Sequence, residues 1–343
     1  MIVRPSFRVI AVVVASVAVV FGGCGSDEVA AGEDPGNDRP IVAVTTNILG
    51  DVVENLVGNE FRVVTIMPAG SDPHAFQASA QQVAQIGLAD VVIANGAGFE
   101  EGLLDVLESD GVPVFEAIGN VETITYGDEH DDEHDDEHDD EHDDEHDDEH
   151  EHEHEHEHEH EHEHEGVDPH FFTDPARMVQ AVDGIVDFLL ANVDGVDAAA
   201  LEANAASYRA RLVSLDNDVD ALLASVPSDR RVLVTNHEVF GYFADRYGFD
   251  VAGTVIPSGS TSDGVNAKAL SELAELIERK GVPAIFAGSA ASNELAVALA
   301  GEVGDIGVVE LFTESLGAQD SEGATYLDMV RTNAERIADA LSG

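Results

Sequence analysis

The chain has 343 residues, of which 70 are acidic and 15 basic, for a formal net charge of −55. That balance excludes a nucleic-acid binder held through phosphates, which needs a basic patch, and disfavours docking on an anionic membrane through a basic surface. A single cysteine excludes an internal disulfide framework and a cysteine-only zinc finger. A hydrophobic content of 44% still permits packed cores, and the length points to two domains.

Residues 1–23 read as a secretory signal. Arg4 and Arg8 precede an apolar stretch over 9–21 that only Ser16 breaks, too short to cross a bilayer as a normal helix. Phe21-Gly22-Gly23-Cys24 resembles the cleavage box of bacterial lipoproteins, although a leucine-like residue is usual where Phe21 stands. The resemblance implies a lipidated Cys24 as the first mature residue; the alternative is a plain secreted protein with a stray thiol. Residues 24–39, rich in Gly, Asp and Glu, read as a flexible tether.

Short apolar and β-branched runs at 41–46, 61–67, 90–94 and 113–118 predict strands, and helical spacing at 48–57, 79–88 and 99–108 fills the gaps. Asp174 and Pro175 are a cap and first turn for a helix over 174–193. An uninterrupted pattern over 197–225, with Leu201, Tyr208, Leu212, Leu215, Val219, Leu222 and Leu223 at helical steps, predicts a rod. Strands at 231–235, 251–256, 284–287 and 306–311 then alternate with helices at 238–247, 268–279, 293–303 and 324–341. Strands alternating with helices imply βαβ units. The expected fold is α/β: two doubly wound lobes, each a roughly four-stranded parallel sheet with flanking helices, joined by one long α-helix. The expected boundaries are 40–195, 196–226 and 227–343.

One run accounts for much of the charge. Residues 128–165 comprise 25 acids and 13 histidines, and without them 45 acids face 15 bases. The histidines are His130, His134, His138, His142, His146 and His150, then His152, His154, His156, His158, His160, His162 and His164. Like-charge density forbids a packed core, so disorder is expected. Imidazole beside carboxylate offers many weak zinc sites. These weaken as pH falls, because acids favour the protonated imidazole and the ligand is the neutral one.

Only His74, His170 and His237 lie outside the run. His74 and His170 share the pattern Asp-Pro-His-x-Phe, and His237 ends a predicted strand. Proline restricts itself and the residue before it, so such a turn can aim an imidazole into a cleft. Open α/β sheets bind ligands beyond the carboxyl ends of their strands. Zinc favours four N, O or S donors, and the best fourth candidate is Glu314, just past the last strand, with Asp328 as runner-up.

The motifs Asp72-Pro73-His74, Asp168-Pro169-His170, Thr235-Asn236-His237-Glu238-Val239-Phe240-Gly241, Thr313-Glu314-Ser315-Leu316-Gly317 and Thr325-Tyr326-Leu327-Asp328-Met329 stand in an order and spacing similar to metal-specific solute-binding lipoproteins of ABC importers. The resemblance spans about residues 40–343. It implies two lobes, a rigid connecting helix and one metal between the lobes, with His74 and His170 from the first lobe and His237 and Glu314 from the second. His237, where manganese members tend to carry an acid, resembles the zinc branch, whose members also carry charged His-rich loops. Departures are Phe172 for a common Trp, Ala287-Gly288 where an acid is frequent, and Gln77-Ala78-Ser79 for Glu-Pro-Ser. The expected function is extracytoplasmic capture of Zn(II) as substrate and its delivery to an ABC permease and its ATPase. The chain is expected to be a monomer on a lipid anchor, with no nucleic-acid partner and no enzymatic activity. The alternatives are a manganese or iron protein of the same family, or a zinc-buffering or adhesion lipoprotein.

Overall fold

The structure is a computed structural model that describes residues 39–109, 111–126, 166–304 and 306–342. The signal, Cys24 and the His/acid run at 128–165 lie outside the described residues.

The first sheet contains β1 (Ile41–Val44), β2 (Arg62–Thr65), β3 (Val91–Ala94) and β4 (Val114–Glu116), in the order β2-β1-β3-β4. The second contains β5 (Val232–Thr235), β6 (Asp250–Thr254), β7 (Ala284–Gly288) and β8 (Gly307–Leu311), in the order β6-β5-β7-β8. All pairings are parallel, so both lobes wind the same way. The central strands explain why. Val91 to Ala94 are all buried, as are Ala284 to Gly288, and a strand covered on both faces reads as a continuous apolar run. The edge strand β2 carries the exposed Arg62.

Local chemistry starts and stops the helices. Thr46 caps α1 (Asn47–Val57) by accepting from the Leu49 amide, and Gly58, at φ 53°, closes it. Helix α2 (Ala80–Ile86) begins with a reciprocal capping box between Ser79 and Gln82. The third helical segment opens with a 3₁₀ turn at Glu101–Leu103 before α3 (Leu104–Ser109). Asp174 accepts from the Ala176 amide at the start of α4 (Pro175–Asn192), with proline in the first turn. Asp197 caps α5 (Ala198–Leu223), whose 26 residues make a rod of about 39 Å at the usual rise.

The second lobe adds α6 (Gly241–Tyr247), α7 (Ala267–Lys280), α8 (Glu294–Val303) and α9 (Tyr326–Ser342). Helix α6 starts three residues later than the periodicity predicts. Residues 237–240 form a turn instead, with the Glu238 amide donating to Ser258 O at 3.0 Å and the Val239 amide to His237 O at 2.9 Å.

The two lobes share a core. One apolar cluster runs from Val42 and Leu49 in the first lobe through Leu201, Leu212 and Val219 of α5 to Phe243, Phe286 and Ile337 in the second. Helix α5 packs on α1 and α4 and also on α9. Its Asp216 is an acceptor for Arg246 and for the Tyr247 hydroxyl, pinning the rod to α6. Apolar burial is non-directional and cooperative with its neighbours, so this cluster resists independent movement of the lobes. Leu212→Ala, at a fully buried position, is expected to cost about 2–5 kcal/mol and to lower a single calorimetric transition of the metal-free protein. Separate transitions for the two lobes would contradict the shared core.

Candidate metal centre

Each predicted histidine is positioned by its own turn. In the loop after β2, Asp72 Oδ1 accepts from the His74 amide at 3.0 Å and the Ala75 amide at 3.4 Å. This is the Asx turn that Asp before Pro-His favours. Asp168 repeats it, accepting from the His170 amide at 2.9 Å, and its same oxygen also meets His170 Nδ1 at 2.7 Å. For His74 a different carboxylate meets the ring, with Glu101 Oε1 3.1 Å from Nδ1. A carboxylate on Nδ1 places the ring proton there and leaves Nε2 free as a donor to metal.

His237 stands at the end of β5, where the Thr235 hydroxyl donates to His237 O at 2.7 Å. Glu314 follows β8 between two anchors. Asn333 on α9 exchanges two hydrogen bonds with the Phe312 backbone, at 2.9 and 2.7 Å. Asn47 of the first lobe donates to Ser315 Oγ at 2.8 Å and accepts from the Leu316 amide at 2.7 Å.

The four side chains meet. Their donor atoms all lie within 4.8 Å of one another, and all four residues are buried. His74 Nε2, His237 Nε2 and His170 Nε2 stand 2.7, 3.1 and 3.5 Å from the one oxygen Glu314 Oε1. A tetrahedral ion at ordinary zinc–ligand distances wants its donors about 3.3 Å apart, so the spacing suits a single small cation. Hydrogen bonding does not satisfy the group. Among the described residues His74 Nε2, His170 Nε2 and Glu314 Oε2 are buried without a partner of hydrogen-bonding geometry, and such atoms are costly unless a cation or proton compensates them. Phe99 walls the centre, its ring centroid 5.2 Å from that of His74 and 5.5 Å from that of His170.

The electrostatics are those of a compensated buried anion. Burial alone would raise Glu314, but His237 and the hydrogen-bonding imidazoles around it outweigh that and hold its carboxyl well below the usual range. Burial would likewise lower His170, but Asp168 and Glu314 prevail and push it up to about 9.

All four residues singled out as first-choice ligands from sequence are therefore brought together. The runner-up is not. Asp328 is exposed in the first turn of α9, where it accepts from the Thr325 hydroxyl at 2.7 Å. Its place in a helix end makes it a capping partner. Sequence reasoning missed Glu101 and Asn47, because each acts across a long chain separation and no local spacing marks it.

The family whose pattern matches residues 42–340 is ZnuA, described as the zinc-uptake complex component A, periplasmic. The chain belongs to this family. Among similar proteins, the manganese-binding lipoprotein MntA of Halalkalibacterium halodurans is 25% identical, over 96% of this chain and 97% of that protein. The zinc-binding protein TroA of Treponema pallidum is 28% identical, over 89% of each. The solved structure of the periplasmic zinc-binding protein TroA superposes with a TM-score of 0.74 at 25% identity, covering 89% of this chain and all of that one. The ZnuA family supplies extracytoplasmic metal-binding components of ABC transporters, which bind a substrate and are not enzymes. Among the described residues no helix is long and apolar enough to cross a membrane.

With its pKa pushed up to about 9, His170 carries a second ring proton at neutral pH, and Nε2 must lose it to bind metal while Nδ1 keeps its own toward Asp168. Metal affinity is therefore expected to fall by about tenfold for each pH unit lowered through neutrality, with about one proton released per ion bound. Calorimetric titration in buffers of different ionisation heat measures both. Affinity that is flat from about pH 8 to 6 would contradict the assignment.

Proposed function

We propose that the chain captures Zn(II) between its lobes, with His74, His170, His237 and Glu314 as ligands, and delivers it to an ABC permease driven by its ATPase. The observation that carries this reading is the convergence of three imidazoles on one buried carboxylate. Three nitrogen donors and one oxygen suit zinc, whereas manganese prefers oxygen. Glu314 also occupies the position that a catalytic zinc would leave to water, which fits holding an ion rather than using it.

Relatives differ in their named metals. MntA is named for manganese and TroA for zinc, so the donor set of this chain, rather than its ancestry, supports zinc. Several relatives are named lipoproteins, which supports a lipid anchor at Cys24. The thirteen histidines of the run at 128–165 are proposed as a collector of weakly held zinc beside the tight centre, a reading that rests on their alternation with acids.

Metal analysis under competition among zinc, manganese and iron tests the proposal. One tightly held equivalent of zinc is expected, lost in His237→Ala. Removal of 128–165 is expected to eliminate weak equivalents and keep the tight one. Retention of manganese against equal zinc would overturn the choice of metal, and tight binding unchanged in His237→Ala would overturn the ligand set.

A further inference from the structure

His74 differs from the other ligands in how it is held. Its ring rests on Glu101, whose side chain is 42% exposed, whereas the Asp168 that holds His170 is 3% exposed. A groove of about 170 Å³ bordered by His74, Glu101, Tyr126, Ser260 and Asp263 runs along this side. His74 is thus the ligand nearest solvent.

A strap of the second lobe, residues 256–263, closes over it. The strap follows β6 and is braced internally. Ser258 Oγ donates to Asp263 and accepts from the Ser260 amide at 3.1 Å, and Ser260 Oγ accepts from the Ser262 amide at 3.2 Å. Two of its hydroxyls then cross to the first lobe. The Ser260 hydroxyl donates to Glu101 Oε1 at 2.6 Å, and the Thr261 hydroxyl donates to Asp72 Oδ2 at 2.7 Å. These are the two carboxylates that hold His74, Glu101 by the ring and Asp72 by the backbone amide. Gly259 lies so close to Tyr126 that a Cβ there would stand 1.9 Å from the tyrosine hydroxyl. Only glycine lets the strap seat.

We propose that the 256–263 strap is the latch that sets the rate of metal release, with Ser260 and Thr261 as positioning residues that act on His74 through Glu101 and Asp72. The inference rests on the zinc-binding reading above and adds its release step. With the strap seated, both carboxylates are held in place and His74 Nε2 is fixed toward the other donors. When the strap lifts, the carboxylates lose their cross-lobe donors, His74 is free to turn toward the groove, and the ion loses the ligand nearest its exit. Partners that orient a ligand in this way typically govern about 10–100-fold in metal affinity.

The test uses the full chain loaded with Zn(II) and mixed rapidly with excess chromogenic chelator. Ser260→Ala combined with Thr261→Val is expected to speed release by about 10–100-fold, while the metal-free protein keeps a single cooperative melting transition at a somewhat lower temperature, since two hydrogen bonds to carboxylates are lost. Gly259→Ala is expected to speed release as well, although it removes no polar group. The decisive comparison is a double-mutant cycle, since residues acting through one another are not additive. Ser260→Ala should accelerate release in the native background and add nothing once Glu101→Ala is present. Release at the native rate from the strap variants, or an undiminished Ser260→Ala effect in the Glu101→Ala background, overturns the latch. That failure is distinct from failure of the metal centre, which shows as zinc uptake by the unaltered chain that does not depend on His237.

Discussion

A carboxylate with no exposed side-chain surface, Glu314, is the constraint around which the molecule is arranged. An isolated buried carboxylate is expensive, and desolvation drives it toward the neutral acid. Here three imidazoles gather on one of its oxygens and keep it charged. The cluster is not self-sufficient, because imidazole nitrogens and the second carboxylate oxygen remain without aligned hydrogen bonds among the described residues. A divalent cation resolves both deficits at once: it offsets the charge and gives every donor a partner. The preference for a cation is thus an electrostatic property of the fold, and it requires both lobes, because neither supplies more than two of the four donors.

The parallel sheets exist to bring those donors to one place. Both lobes use the same strand order, and His237 and Glu314 follow the carboxyl ends of β5 and β8, where ligands bind in sheets of this kind. The described residues that flank the His/acid run pair through an antiparallel bridge, Thr125 with Val167. The bridge fixes the chain just ahead of Asp168 and His170. Helix α5 and the shared apolar cluster then hold the lobes as one body. A wide hinge would expose that cluster to water, so the economical motion is local. The polar ties across the cleft are of the kind that can break singly: Asn47 to Ser315, Ser260 to Glu101, Thr261 to Asp72.

Much of this is legible in the sequence alone. All eight strands fall within a residue or two of their predicted spans, because buried parallel strands advertise themselves as short β-branched runs. The long helix was legible in the recurrence of Leu201, Leu212, Leu215 and Val219 without a breaker. The start of α6 was not, since Glu238 to Phe240 carry a helical pattern but the Glu238 amide is taken by Ser258 across the sheet, a partner that no local window contains. The four central side chains were legible as a set for a chemical reason: subtracting the histidine run left three isolated histidines, and Glu314 was the first carboxylate beyond the last strand.

What the sequence by itself determined is therefore the periodic and the local: strands, helices and their caps, the Asx turns at Asp72 and Asp168, and the donor types available to a metal. These depend on residues within a few positions of one another. Only the tertiary structure decided which carboxylate serves which imidazole. Asp168 holds the ring of its own neighbour His170, whereas Glu101, not Asp72, holds that of His74, although the two Asp-Pro-His motifs are identical. It also rejected Asp328 and placed Ser260 and Thr261 against the acids behind His74. Hydrogen bonds between side chains act over about 3 Å in space and are indifferent to separation along the chain. Such partnerships exist only once the sheets have brought distant loops together.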